Sequence, residues 1–267
     1  MNWTAILIAA VCGGAFAGSG VLLANWLGRP QFRSAIVAVA TVIGIGVASQ
    51  INDRLPVKMN IDAFSLSDLA DEVPFYRVLI DRDPASALIL ETGLKDDFQS
   101  GNFTINEITD RTRNRLGVIL TNKTIVAPAS LQREYADIAI EMFEHFKRTK
   151  PNLCRKMAMG EPIGDLSPYL PQSYAETEGA MMVRVIETPS VVGASGDVVR
   201  GKGIAGDVFV AWADTAEVDM QSPNFSETLS DIQWCDISLA LSYAKLSASD
   251  QDRRDLFAFE ADTANPS

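Results

Sequence analysis

Residues that commonly carry out chemistry are scarce in this chain, and its single histidine is the first candidate. His145 follows Glu141 by four positions, so on a helix the two side chains share one face and form half of a metal site. No second histidine completes such a site, and transition metals favour imidazole and thiolate ligands over carboxylates. A solvated charged face that includes Arg148 explains the pattern more simply. We therefore predict no metal and no cofactor.

Two further motifs have the composition of functional loops but lack the expected context. Ser195 lies in the segment Gly-Ala-Ser-Gly, which lacks the spacing of a nucleophile elbow, and its base would have to be His145. Residues 201–206 match the dinucleotide fingerprint GxGxxG, which needs a strand before it and a helix after it. Only Val198 and Val199 precede it as an apolar run. We interpret this segment as a flexible loop that requires positive φ.

Two of the three cysteines lie in the C-terminal part of the chain, on apolar faces of predicted helices. In an oxidising compartment Cys154 and Cys235 could form a disulfide that joins the last long helix to the middle of the domain. The alternative is a pair of buried, reduced thiols. The third cysteine, Cys12, follows Val11, where a bacterial lipoprotein signal would have a small residue.

The chain that precedes these candidates contains two long uncharged runs. They cover residues 5–27 and 34–51. As helices that rise about 1.5 Å per residue, both can cross about 30 Å of hydrocarbon, the second one barely. We therefore predict a transmembrane helical hairpin over residues 1–51, with residues 5–51 in contact with the lipid bilayer. A cleaved signal peptide explains the first run less well than a membrane span does, because no Lys or Arg precedes the run.

Small residues recur at four-residue spacing on both predicted spans. Helices in lipid associate where small side chains let the backbones approach each other closely. We expect tight packing of the spans, within one chain or between copies in a homo-oligomer, through Gly14, Gly18, Ala40, Gly44 and Ala48.

The link between the spans sets the predicted orientation. It holds Arg29 and Arg33 and no acidic residue, and short loops rich in Lys and Arg stay in the cytoplasm. Both termini are then outside, and the large C-terminal domain is extracytoplasmic, as in a protein of the bacterial inner membrane. Arg54 and Lys58 follow the second span closely and weaken this bias. The reverse topology would place the domain in the cytoplasm.

The chain beyond the predicted hairpin is strongly acidic. Residues 59–267 contain 19 basic and 33 acidic side chains, a net charge of −14. Such a domain repels phosphate backbones, which argues against nucleic acid as a partner. We divide this part into a juxtamembrane connector (52–72), an acidic, mainly helical soluble domain (73–259) and a disordered tail (260–267).

Helical spacing and capping residues dominate the predicted domain. Helix starts are predicted at Pro74, Pro84, Thr104, Ser130, after Pro151, at Ser173 and at Ser226 or Thr228. The apolar stripe of the helix from Ser130 is Leu131, Tyr135, Ile138, Met142 and Phe146, and that of the last helix is Ile232, Cys235, Leu239, Tyr243 and Leu246. Residues 189–206 are rich in Gly and predict a mobile loop, and residues 208–212 have strand character.

These elements predict a membrane-anchored, mainly α protein. A two-helix transmembrane hairpin precedes an all-α or mostly α soluble domain with at most a short β-hairpin. We expect a structural or interaction protein of the cell envelope without a catalytic motif, which recognises a protein partner through a helical groove or the 189–206 loop. The alternative is a hydrolase-like envelope enzyme that uses acids such as Glu141 and Glu144, which requires several such groups to meet in one pocket.

Overall fold

The computed structural model describes residues 65–70, 73–100, 102–159, 161, 163–220 and 225–264. The predicted spans 5–27 and 34–51, with Gly14, Gly18, Ala40, Gly44 and Ala48, lie outside the described residues. Within the described ranges, no helix combines the length and the apolar character needed to cross a bilayer.

The described chain is mainly helical, and its regular elements are helices throughout, without a strand in the described ranges. Two 3-10 turns, Leu66–Leu69 and Ser167–Tyr169, accompany the α-helices. The α-helices are α1 (Pro74–Arg82), α2 (Pro84–Ser100), α3 (Ile105–Ile125), α4 (Ala129–Thr149), α5 (Asn152–Met159), α6 (Gln172–Glu187), α7 (Val198–Thr215), α8 (Phe225–Thr228), α9 (Asp231–Ser247) and α10 (Asp250–Ala264).

Several helix starts follow directly from capping chemistry. Thr104 and Glu107 form the predicted capping box of α3, in which each side chain accepts a hydrogen bond from the backbone N–H of the other residue. A second capping box, formed by Ser230 and Gln233, starts α9. Helix α9, predicted to start at Ser226 or Thr228, therefore begins later, because residues 225–228 form the separate short helix α8.

Helix α4 lies at the centre of the packing. Its predicted apolar stripe is confirmed, since Leu131, Tyr135, Ile138, Met142 and Phe146 are all buried. The helix contacts α9 most extensively and also packs against α3, α5 and α6. Burial of these large side chains is the main favourable contribution to the fold, at about 25 cal/mol per Å² of apolar surface removed from water.

The expected strand at residues 208–212 is wrong. These residues lie inside α7, whose buried positions Gly201, Ala205, Phe209 and Ala213 recur every four residues and face α9 and α10. This helical spacing outweighs the β-branched character of the segment. Strand propensity reflects packing against neighbouring strands, and the described residues contain no strand for this segment to pair with. The predicted 189–206 loop is correspondingly shorter, since Asp197 caps α7 and accepts a hydrogen bond from the N–H of Arg200 at 3.0 Å.

The predicted disordered tail is also wrong over residues 260–264. Helix α10 continues to Ala264 and packs against α3, α7 and α9. Glu260 and Thr263 are buried there, and Lys245 Nζ donates a 2.5 Å hydrogen bond to Glu260 Oε1. The acidic composition that suggested disorder therefore includes a carboxylate that a buried lysine neutralises.

The bend between α9 and α10 is fixed by Arg253. Its guanidinium is fully buried and donates hydrogen bonds to the carbonyl oxygens of Lys245, Leu246 and Ala248. These carbonyls belong to the last turn of α9 and the residue after it, which have no partners within the helix.

The predicted apolar face of α9 is partly wrong, because Ile232 and Tyr243 are exposed.

The start of the folded domain lies within the predicted connector. The turn Leu66–Leu69 packs against α1, and both of its leucines are buried. Ser65 Oγ and the N–H of Leu66 donate to Glu91 Oε2 in α2, at 3.2 and 2.9 Å. Residues 65–70 therefore belong to the domain and not to a free connector.

Candidate functional site

The two cysteines of the domain are joined in the structure. Cys154 in α5 and Cys235 in α9 are both fully buried, with their Sγ atoms 2.10 Å apart and their Cα atoms 5.0 Å apart. The disulfide links positions 81 residues apart in sequence. It therefore connects the middle of the domain to its C-terminal helical pair.

His145 and Glu141 lie on the outer side of α4. Glu141 is exposed and His145 is partly exposed. In the part of the chain that the structure describes, no group of three or more His, Cys, Asp and Glu side chains is arranged to hold a metal ion. The geometry at His145 is therefore that of a surface helix.

The carboxylates considered for an enzyme are surface groups as well. Glu144 accepts a 2.8 Å hydrogen bond from the hydroxyl of Tyr243, and Arg148 Nη1 lies 3.8 Å from its carboxylate. The hydrogen bond to Glu144 raises the pKa of Tyr243, which makes this phenol a weaker acid. This arrangement ties α4 to α9 at the surface.

The GxGxxG segment is helical, which corrects its interpretation as a flexible loop with positive φ. All three glycines lie in α7, and the positive-φ glycines of the described chain are Gly164 and Gly193. A Cβ atom at Gly201 would lie 1.9 Å from the carbonyl oxygen of Asp255, whereas one at Gly203 would meet nothing within 4 Å. Gly201 thus permits a close approach of α7 to α10.

The core contains ionisable groups that the sequence analysis did not identify. Glu178 of α6 is fully buried, and neither of its carboxylate oxygens has a hydrogen-bond partner among the described residues. Arg113 of α3 is also fully buried; its guanidinium contacts the Asp110 carboxylate and the carbonyl oxygen of Gly164. Two adjoining helices therefore bring a carboxyl and a guanidinium into the core.

Burial decides the protonation of these groups. It raises the pKa of Glu178 well above its usual range, while the positive charge of Arg113 acts in the opposite direction. Burial also raises the pKa of Tyr135. Burial thus favours the protonated form of the Glu178 carboxyl.

Exposed apolar side chains are concentrated in one part of the sequence. Eight large apolar side chains are exposed among the described residues, and four of them lie between positions 191 and 210: Val191, Val192, Val199 and Val210. Val192 is 100% exposed and Val199 80% exposed. Three of the four, Val191, Val192 and Val199, lie within residues 189–206, the segment predicted to recognise a partner.

The loop that carries Val192, residues 188–197, is attached to the domain at several points. The N–H of Val191 donates to the carbonyl oxygen of Val126 at 2.8 Å, at the C-terminal end of α3. Near the other end, the N–H of Asp197 donates to Asp255 Oδ1 at 2.8 Å, and Gln251 Nε2 donates to the carbonyl oxygen of Ser195 at 3.2 Å. The domain therefore holds the loop in a defined position.

We call Val191, Val192, Val199 and Val210 the valine surface.

Comparison with known proteins supplies no relative for this chain. Protein-family models, curated proteins and solved structures give no match.

Proposed function

We propose that this chain is a membrane-anchored interaction protein of the cell envelope, with its acidic helical domain outside the cytoplasm. The predicted hairpin 5–51 fixes it in the bacterial inner membrane, and the valine surface binds a protein partner. Its mechanism is recognition and not catalysis.

The exposure of the valine surface is the observation that carries this proposal. The four valines account for half of the large apolar side chains that are exposed among the described residues, and exposed apolar patches commonly mark interaction sites. The attachment of the 188–197 loop reduces the conformational entropy that binding would have to remove. A preorganised apolar surface is suited to a protein partner.

The disulfide supports the extracytoplasmic location. Disulfides persist in oxidising compartments such as the bacterial periplasm and are rare in the cytosol. The charges of the link agree with this, because Arg29 and Arg33 favour a cytoplasmic link and an external domain.

Photocrosslinking in intact cells tests the proposal. The full chain carries a benzophenone amino acid at Val192 or Val199, and the control carries it at Asn152, an exposed position in α5, a helix that packs against α4 and α9. We expect an adduct of discrete mass from positions 192 and 199 and none from 152, because only the apolar surface is covered by a partner.

Two results would contradict the proposal. One is the same adduct pattern at all three positions, or no adduct at any of them. The other is topological: a membrane-impermeant maleimide should label Lys202→Cys in intact cells, and labelling only after lysis would place the domain in the cytoplasm.

A further inference from the structure

The outer face of α2 carries a second exposed apolar surface. Leu88 is 65% exposed and Ile89 is 61% exposed, and the exposed Ala85 and Thr92 extend the face by one turn on each side. Helix α2 packs against α1 and α3 with its other side. We call Ala85, Leu88, Ile89 and Thr92 the α2 strip, which contains no charged residue.

The α2 strip lies beside the point where the described domain begins. Ser65 and Leu66 both donate hydrogen bonds to Glu91. Glu91 follows Leu88 by three positions on α2, and residues three apart are neighbours on one helix face. The first residues of the domain are thus held next to the strip.

The distance along the chain from the strip to the predicted membrane span is short. Thirteen residues, 52–64, separate Ile51 at the end of the second uncharged run from Ser65. Fully extended, this segment reaches at most roughly 50 Å. Any conformation shorter than full extension brings the α2 strip closer to the bilayer surface.

Charge distribution favours this face over the rest of the domain. The chain after residue 58 has a net charge of −14 and is repelled by anionic lipids. Beside α2 the charges instead balance: Asp81 adjoins Arg82 at the end of α1, and Lys123 Nζ lies 3.0 Å from the carboxylate of Asp83. Lys95 Nζ likewise lies 2.8 Å from the carboxylate of Glu91. An apolar strip flanked by balanced charges is repelled by anionic lipids less than the rest of the domain is, which fits a lipid surface as its partner.

We propose that the α2 strip docks onto the surface of the lipid bilayer next to the membrane anchor, with Leu88 and Ile89 inserted at the level of the headgroups. This inference rests on the proposed membrane anchoring. It gives the domain a fixed orientation on the membrane, in addition to a tether.

Depth-dependent fluorescence quenching tests the docking. The full chain, with Cys12→Ser, is reconstituted into liposomes that contain nitroxide-labelled lipid, and a polarity-sensitive fluorophore is attached at Leu88→Cys or Ile89→Cys. The matched control is Val199→Cys, an exposed valine on a helix that is not attached to the connector. We expect at least about twofold stronger lipid quenching at positions 88 and 89 than at 199, because only inserted side chains approach the acyl chains.

A fourth labelled position, Ala40→Cys, separates failure of the docking from failure of the anchor. If the probe at 40 is quenched by lipid and the probes at 88 and 89 behave like that at 199, the docking is wrong and the anchor stands. If the probe at 40 is not quenched, both proposals fall. Shielding of positions 88 and 89 from aqueous iodide without lipid quenching overturns the docking as well, since protein and not lipid would then cover the strip.

Discussion

Glu178 is the residue whose ionisation matters most inside the domain. Its carboxyl is fully buried without a hydrogen-bond partner among the described residues, and its pKa is raised by burial. The folded state therefore binds this proton more tightly than the unfolded state does. The contribution of this carboxyl to the unfolding free energy is fully favourable below the unfolded pKa of about 4.3. It is lost as the pH rises towards the folded pKa.

We expect the Glu178→Gln variant to have a flatter pH dependence of stability than the wild type. One such carboxyl reduces the unfolding free energy by at most about 1.4 kcal/mol per pH unit above the unfolded pKa. Denaturant titrations of both proteins at pH 5 and pH 8 measure this difference. Equal slopes would show that Glu178 is ionised in the folded domain and that Arg113 compensates its charge.

The sequence contained part of the information needed to find this residue. Tyr174, Glu178, Met181 and Met182 recur at helical spacing, and three of these four side chains are apolar or aromatic, so the glutamate could be placed on the core side of α6. What sequence could not supply is the neighbour: Arg113 lies on α3, 65 positions earlier, and only tertiary packing brings the two together. Local features such as the Thr104–Glu107 capping box were predictable because they depend on adjacent residues alone.

At the scale of elements, the contact between α7 and α10 depends on glycine. Gly201→Ala would place a methyl group 1.9 Å from the carbonyl oxygen of Asp255, which is backbone and cannot rotate away. We expect a loss of about 3 kcal/mol in the unfolding free energy, at the upper end of the range for an overpacked core. Thermal or denaturant unfolding of the full chain measures it.

Gly203→Ala is the matched control for this substitution. It lies two residues away in the same helix and has open space around it. Alanine there should stabilise α7 by about 0.5–1 kcal/mol, because glycine is a poor helix former. If both variants lose similar stability, the close contact between α7 and α10 does not explain the loss. Helix propensity or solubility would then explain it.

The same helix shows where element prediction from sequence failed. Val208 to Trp212 is rich in β-branched and aromatic residues, and local propensity favoured a strand. The deciding pattern is the four-residue spacing of Gly201, Ala205, Phe209 and Ala213, which begins within the glycine-rich GxGxxG motif. Helix α10 was missed for a similar reason, since its apolar residues are interspersed with acids that the fold buries or pairs.

At the scale of the whole molecule, the disulfide joins helices that are far apart in sequence. Replacing both Cys154 and Cys235 by alanine should reduce the unfolding free energy by about 2–4 kcal/mol, because the unfolded chain gains the freedom of an 81-residue separation. Chemical denaturation of the full chain, with Cys12→Ala as the control variant, measures the loss.

Thiol titration of the denatured protein gives an independent check. The chain has three cysteines, and an intact disulfide leaves Cys12 as the one reactive thiol. Three reactive thiols in protein isolated without reductant would contradict both the bond and the oxidising location that it supports. The alanine pair would then have only the small effect of two lost sulfur atoms.

The position of α10 has a consequence for the order in which the domain is built. This helix packs against α3, α7 and α9, so the core has a vacant side until residues 250–264 have been synthesised. Folding is therefore completed only after nearly all of the domain has left the ribosome. A chain that cannot finish folding until then stays unfolded enough to pass through a membrane channel, which is the route that the proposed extracytoplasmic location requires.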